Sequence, residues 1–342
     1  MRKKIKVAVL MGGKSPEYEV SLVSGREVVK HLDTQKYEVL PVVVSKDGKE
    51  WLLKGVKELL ATVKDEVSSV KDLVPTEKEV VPDRIPEWAD VVFLAMHGPY
   101  GEDGTIQGML EIVGIPYTGS GVLASALGMD KPMFRKIIQG AGIPSPKFLV
   151  LGKNERPDRV LDEFDLPLVV KPCCQGSSIG VSIVRSKANL EKALQKAFDF
   201  GSQAIVEEFL SGVEVTCGIL GNDNPIALPV AEIIPKKEFF DYESKYVPEM
   251  SEEIVPARIP AKLTKKVQET ALKVYQLIGC CGFGRVDMII SHSTPYVLEI
   301  NTIPGLTPNS LLPKEAAAAG ITYQQLIEKI IQFAMEKKIS PR

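Results

Sequence analysis

The chain predicts an α/β fold of three units, the first a Rossmann-like parallel sheet, and three observations lead there. An apolar run at residues 6–11 is followed by Gly12-Gly13, by helical spacing through Val20, Val23, Ser24, Val28, His31 and Leu32, and by a second apolar run at residues 39–44. This β-α-β order requires helices on the faces of a parallel sheet and places a ligand crevice at the carboxyl ends of its strands. The length of 342 residues, divided by roughly 150 per domain, gives two or three domains. Strand and helix patterns also regroup near residues 119 and 207, which divides the chain into 1–118, 119–206 and 207–342.

In the first unit, residues 46–86 are more polar, hold Pro75, Pro82 and Pro86, and read as a variable excursion. Residues 91–96 restore a buried strand that runs into the loop 97–104, where an α/β sheet builds its sites. In the second unit, helices are expected at 121–128 and 131–140, the latter closed by Gly140 and Gly142. Strands at 168–171 and 181–184 are joined by a Gly/Ser loop, as a hairpin. A helix at 187–199 and a strand at 204–208 complete this unit.

The third unit carries strands near 213–220 and 226–232, then a polar loop at about 236–253, long enough to be functional. Pro260 opens a helix with apolar positions from Leu263 to Ile278, and Gly279 stops it. Strands at 284–290 and 295–301 follow, and Thr322 caps a final amphipathic helix through Leu326, Ile327, Ile330 and Phe333.

Composition narrows the function. Lys plus Arg number 42 against 44 Asp plus Glu, a formal charge of -2, so the basic field that nucleic acid requires is missing. No apolar run reaches the roughly 18 residues of a membrane span, and Lys6 interrupts the only stretch resembling a signal peptide. A cytoplasmic protein without nucleic-acid or membrane partners is expected. The five cysteines, two pairs of them adjacent, lack zinc spacing and read as reduced packing residues.

Four segments can carry chemistry. Arg285 and Asp287 share one strand face, as do Glu299 and Asn301 on the next strand. Paired, these strands present two carboxylates and an amide oxygen, hard donors suited to Mg2+ on a nucleotide triphosphate; the alternative is a solvated face with ordinary surface pairs. Gly176-Ser-Ser-Ile-Gly180 after Lys171 is either a phosphate-cradling loop or a plain turn. Lys245 and Tyr246 lie in the polar loop, closing over a ligand or pinning the loop to the surface. Ser310 and Leu311 begin a helix whose free N–H groups suit a carboxylate, unless Ser310 is only an N-cap. Of the three histidines, only His97 sits where a crevice is expected.

Together these segments resemble the D-alanine–D-alanine ligases of the ATP-grasp superfamily, nearly end to end. The resemblance rests on Gly12-Gly-Lys-Ser-Pro-Glu-Tyr-Glu-Val-Ser21, residues 97–104, Ile115-Pro-Tyr-Thr-Gly119 with Met129-Asp-Lys131, Val170-Lys-Pro172 with Gly176-Ser-Ser178, Asp241-Tyr-Glu-Ser-Lys-Tyr246, and Glu299-Ile-Asn-Thr-Ile-Pro-Gly305. It implies central and C-terminal ATP-grasp domains and ATP-driven joining of two D-alanine molecules through D-alanyl phosphate, for peptidoglycan precursor synthesis. Two Mg2+ ions, replaceable by Mn2+, are implied on Asp287, Glu299 and Asn301. Lys131, Lys171, Ser178 and Lys245 are implied on the phosphates of ATP, and Glu207, Leu210 and Glu214 around adenosine. Glu17 matches the group that grips the first D-alanine, with His97 nearby; Ser177 and Tyr246 would link to Glu17 as a lid. Arg285 and the Gly305 N–H match an oxyanion site, and Ser310 and Leu311 match the receiver of the second carboxylate. A homodimer is expected.

Tyr246, where ester-forming relatives resemble histidine, favours an amine as second nucleophile, with D-serine the alternative to D-alanine. Cys173-Cys174-Gln175 and Phe240 depart from the family pattern, and altered loop packing with activity retained is expected. Rival readings are another ATP-grasp ligase, opposed by Glu17, Tyr246 and Ser310, and a silent nucleotide-binding protein, opposed by the intact metal-ligand set and Lys245. An oxidoreductase is weaker still, because no G-x-G-x-x-G follows the first strand.

Overall fold

The computed structural model describes residues 3–61, 78–174, 176, 180–235 and 251–337. Three sheets carry the architecture. The first has strands β1 (Ile5–Gly12), β2 (Tyr37–Val44), β3 (Trp51–Leu53), β4 (Lys78–Glu79) and β5 (Val91–Leu94) in the order β4-β3-β2-β1-β5. β1 pairs parallel with both β2 and β5, as the β-α-β pattern requires, with helix α1 (Tyr18–His31) as the crossover. The excursion expected at 46–86 is structured where it is described. β3 and β4 extend this sheet antiparallel, beside helices α2 (Val56–Ala61) and α3 (Ile85–Trp88). These elements are too short to show periodicity in sequence.

α4 (Thr105–Val113), α5 (Val122–Met129) and α6 (Lys131–Gly140) follow the first sheet. The second sheet orders β6 (Phe148–Gly152), β7 (Leu168–Pro172), β8 (Ser182–Val184) and β9 (Gln203–Glu208) as β6-β9-β7-β8, covered by α7 (Arg159–Glu163) and α8 (Leu190–Phe198). β7 and β8 form the expected antiparallel hairpin.

The third sheet contains β10 (Val213–Leu220), β11 (Ile226–Ala227), β12 (Ala231–Pro235), β13 (Ser251–Ile254), β14 (Phe283–Ser291) and β15 (Thr294–Asn301), in the order β13-β12-β10-β14-β15 with β11 also on β10. Two expectations are corrected here. The single strand expected near 226–232 is two, broken around Pro229, which has no N–H for a ladder. Residues 251–253, expected to end the polar loop, instead belong to β13 and pair with β12.

Packing does not follow chain order. α5 and α6 contribute Ala124, Phe134 and Ile138 to the core of the third sheet, where α9 (Ala261–Leu277) also packs. α10 (Leu311–Ala318) lies against β10, and Leu312 and Ala316 reach the first core. The last helix, α11 (Tyr323–Glu336), buries Leu326, Ile327, Ile330, Ile331 and Ala334 in the core of the first sheet. Thr322 caps it as expected, in a capping box with Gln325. No helix among the described residues is long and apolar enough to cross a membrane.

Candidate active site

The two strands read as chemically loaded in the sequence are neighbours. β14 and β15 pair antiparallel, with Asp287 opposite Glu299 and Arg285 opposite Asn301, so all four side chains share one face. Arg285 grips Asp287 bidentately, Nε to Oδ1 at 2.8 Å and Nη2 to Oδ2 at 2.9 Å. Thr216 donates its hydroxyl to Oδ1 at 2.7 Å from β10, and Asn301 donates Nδ2 to Oδ2 at 3.0 Å. Burial works to lower the guanidinium pKa, but the Asp287 charge and hydrogen bonds outweigh it and raise it. Arg285 is therefore a fixed positive charge. The surface-pair alternative fails, since Arg285 and Asp287 are both buried.

This set suits a hard cation. Glu299 keeps partial exposure, and because Asn301 turns its nitrogen to Asp287, its carbonyl oxygen faces away from that carboxylate. Asp287 accepts four hydrogen bonds, filling the lone-pair sites of a carboxylate, so holding a cation there would require the release of a donor. Among the described residues no group of three His, Cys, Asp or Glu clusters, and the trio depends on the amide oxygen of Asn301.

The lysines arrive from the second unit. Asp130 caps α6 by accepting from the Met133 N–H, which sets Lys131 at the first helical position. Lys131 Nζ then lies 3.4 Å from Glu299. Lys171, at the end of β7, pairs with Glu207 on the adjacent β9, and Arg135 Nη2 reaches the other Glu207 oxygen at 2.9 Å. Burial would raise the Glu207 pKa, but the two cations outweigh it and lower it. Glu207 is 2% exposed and thus presents little carboxylate to adenosine. Leu210, in the connection after β9, and Glu214, on β10, are partly exposed.

Glu17 occupies the N-cap position of α1 but makes no side-chain cap hydrogen bond there. Its carboxylate lies against two glycines: a Cβ on Gly98 would come within 2.5 Å of Oε2, and one on Gly176 within 3.0 Å. Gly98 also has φ 71°, so a side chain there is excluded twice over. Gly176 thus brings the second unit's loop onto Glu17. Ser177 and Ser178 of that loop, and Lys245 and Tyr246 of the polar loop, lie outside the described residues.

His97 is buried with both ring nitrogens engaged. Nδ1 sits 3.0 Å from the Ile303 carbonyl, which can only accept, and Nε2 sits 2.8 Å from the Ser24 hydroxyl. Burial lowers its pKa, so it is a neutral ring tying the loop after β5 to the segment after β15, with no nitrogen free for a substrate. That segment contains Gly305, whose N–H has no hydrogen-bond partner among the described residues. Ser310 stands at the N-cap of α10 but does not cap it. Its hydroxyl bonds Thr307, Oγ to Oγ at 2.8 Å, and accepts the Thr307 N–H. The buried Leu311 side chain packs against Ala231 and Ile233, leaving its N–H at the open helix start.

Three residues escaped the sequence reading. Thr216 lies two places beyond Glu214 on β10, and Arg135 lies one turn after Lys131; both spacings were readable. Glu102 accepts the Gly98 N–H at 2.7 Å, and burial together with the nearby Glu17 charge pushes its carboxyl up to about 8. The cysteines are all free, and burial raises the thiols of Cys173, Cys217 and Cys280, which suits packing. A cavity of about 1560 Å³ lined by Glu111, Tyr117, Asn222, Cys281 and Lys337 contains none of the site residues.

Comparison with known proteins gives a consistent result. Residues 6–120 match the family model for the D-ala D-ala ligase N-terminus, and residues 137–332 that for the D-ala D-ala ligase C-terminus. The chain is 42% identical over 341 residues to a D-alanine–D-alanine ligase of Pelotomaculum thermopropionicum, covering 97% of each. Among solved structures it resembles the VanG D-Ala:D-Ser ligase from Enterococcus faecalis, with a TM-score of 0.82, 35% identity and coverage of 97% and 100%. It also resembles the D-alanine–D-alanine ligase from Bacillus anthracis complexed with ATP, with a TM-score of 0.76, 36% identity and 97% coverage of each.

Proposed function

The chain belongs to the D-alanine–D-alanine ligase family and has its ATP-grasp fold, and we propose that it joins two D-alanine molecules at the site built around Arg285 and Glu299. One observation carries the residue assignment. Lys131 on Glu299, and Arg285 on Asp287, bring a lysine and an acid pair from different units to one place, with Glu17 tied in through Gly98 and Gly176.

A carboxylate resists attack by an amine, so ATP must first activate it. An oxygen of the first D-alanine attacks the γ-phosphorus, ADP leaves, and D-alanyl phosphate forms. The amine of the second D-alanine then bonds to the carbonyl carbon, the C–O bond to phosphate breaks, and the amine gives up a proton. Lys131 and Lys171 hold phosphates, joined by Ser178 and Lys245, while Leu210 and Glu214 flank adenosine and Glu207, whose oxygens are taken by Arg135 and Lys171, acts on the nucleotide through Lys171. Glu17 holds the first ammonium group and is linked to Ser177 and Tyr246, whose loop excludes water from the acyl phosphate. Arg285 and the Gly305 N–H face the oxyanion of the tetrahedral intermediate, and Ser310 with the Leu311 N–H receives the second carboxylate. Asp287, Glu299 and Asn301 would hold Mg2+, which when bound draws charge from the triphosphate. His97, with both ring nitrogens bonded within the protein, positions the Ile303 segment beside the site of the first D-alanine. The enzyme acts in cell-wall precursor synthesis, and we place it in the cytoplasm as a homodimer.

The test is purified protein with ATP, Mg2+ and a panel of second substrates. Phosphate and ADP are expected with D-alanine and not with L-alanine. Preference for D-serine would move the reading to the alternative dipeptide, and no phosphate release with any D-amino acid would remove it.

A further inference from the structure

Helix α6 places two cations one turn apart, and each reaches a different sheet. Lys131 meets Glu299 on the third sheet, and Arg135 meets Glu207 on the second. Arg135 is 1% exposed, and its Nε and Nη1 are buried with no hydrogen-bond partner among the described residues. An under-satisfied buried guanidinium is an expensive way to build a core, and an apolar side chain of similar volume is commonly as stable or more so. Packing alone does not account for it.

The charge arrangement does. Glu207 gives one oxygen to Arg135 and the other to Lys171. A carboxylate paired with Lys171 alone would cancel that ammonium and hold it away from a phosphate. Shared between two cations, it leaves one net positive charge, and only the Lys171 end is partly open, at 15% side-chain exposure against 2% for Arg135. We infer that Arg135 is a positioning residue for nucleotide binding: it neutralises Glu207 from behind, so that the charge of Lys171 is presented to ATP. This inference rests on the reading of Lys171 as a phosphate ligand.

The experiment measures KM for ATP and for D-alanine, with melting temperature as the folding control, in Arg135→Met, Lys171→Ala and the double variant Arg135→Met/Glu207→Gln. Arg135→Met is expected to raise KM for ATP about tenfold or more and to leave KM for D-alanine within about threefold. Removing the uncompensated carboxylate in the double variant is expected to restore most of the ATP affinity, a rescue that a purely structural arginine would not show. An unchanged KM for ATP in Arg135→Met overturns the inference, as does an equal rise in both KM values or a failed rescue. If Lys171→Ala leaves ATP affinity unchanged, it is the underlying phosphate reading that falls. Should Arg135→Met not fold, Arg135→Gln is compared with Arg135→Lys: the loss is expected in Gln alone, and equal behaviour of the two overturns the proposal.

Discussion

Single residues near the first sheet's crevice are set by their surroundings more than by their type. Glu102 lies in the loop after β5, and burial together with the neighbouring Glu17 charge pushes its carboxyl far above the usual carboxylate range. A group whose pKa is raised on folding contributes stability that is complete below its unfolded value of about 4.5 and is lost as pH climbs through about 8. Chemical denaturation across that window is therefore expected to show Glu102→Gln gaining stability relative to the parent as pH rises. Parallel curves for the two proteins would show that Glu102 ionises normally. His97 makes the same point. Its place after a strand was legible, but whether its nitrogens face substrate or protein depended on Ser24 and Ile303, far away in sequence.

At the scale of elements, the approach of α10 to β10 depends on Gly218. A Cβ there would stand 2.5 Å from Glu315 Oε2 and 2.6 Å from Leu312 Cδ1, so the missing side chain is what lets the helix seat over the Arg285–Asp287 face. Glu315 is fully buried, neither of its oxygens has a partner of good hydrogen-bond geometry among the described residues, and burial raises its pKa well above normal. Gly218→Ala is expected to cost about 1–3 kcal/mol by overpacking. In a Glu315→Ala background the penalty should shrink; an undiminished urea-denaturation penalty would mean the clash is absorbed elsewhere. The β14–β15 pair was legible for a simple reason: alternation along a strand is local, and two acids separated by a short turn have few other places to go.

For the molecule as a whole, the last helix closes the first core. Ile330 is fully buried there, and Lys36 reaches Glu328 across the same junction at 2.9 Å. Ile330→Ala is expected to cost roughly 2–5 kcal/mol. Hydrogen exchange should locate the effect, with amides of β1 and β5 losing protection while those of β6 and β9 keep it. Loosening confined to α11 would refute the shared core. The same crossing of chain order explains how α6 supplies cations to two sheets, and why the ends of the protein must fold together.

The sequence by itself determined the parallel first sheet, the hairpin of the second, the acidic strand pair of the third, and the family, because alternation, helical spacing and short motifs are local and survive without coordinates. Only the tertiary structure decided that Arg135 and Lys171 share Glu207, that His97 has no nitrogen to spare, that Asp287 already holds four donors, and that the final helix completes the first core. Each of those facts joins residues from separate stretches of chain. Burial and charge pairing act through space, so no spacing along the sequence encodes them.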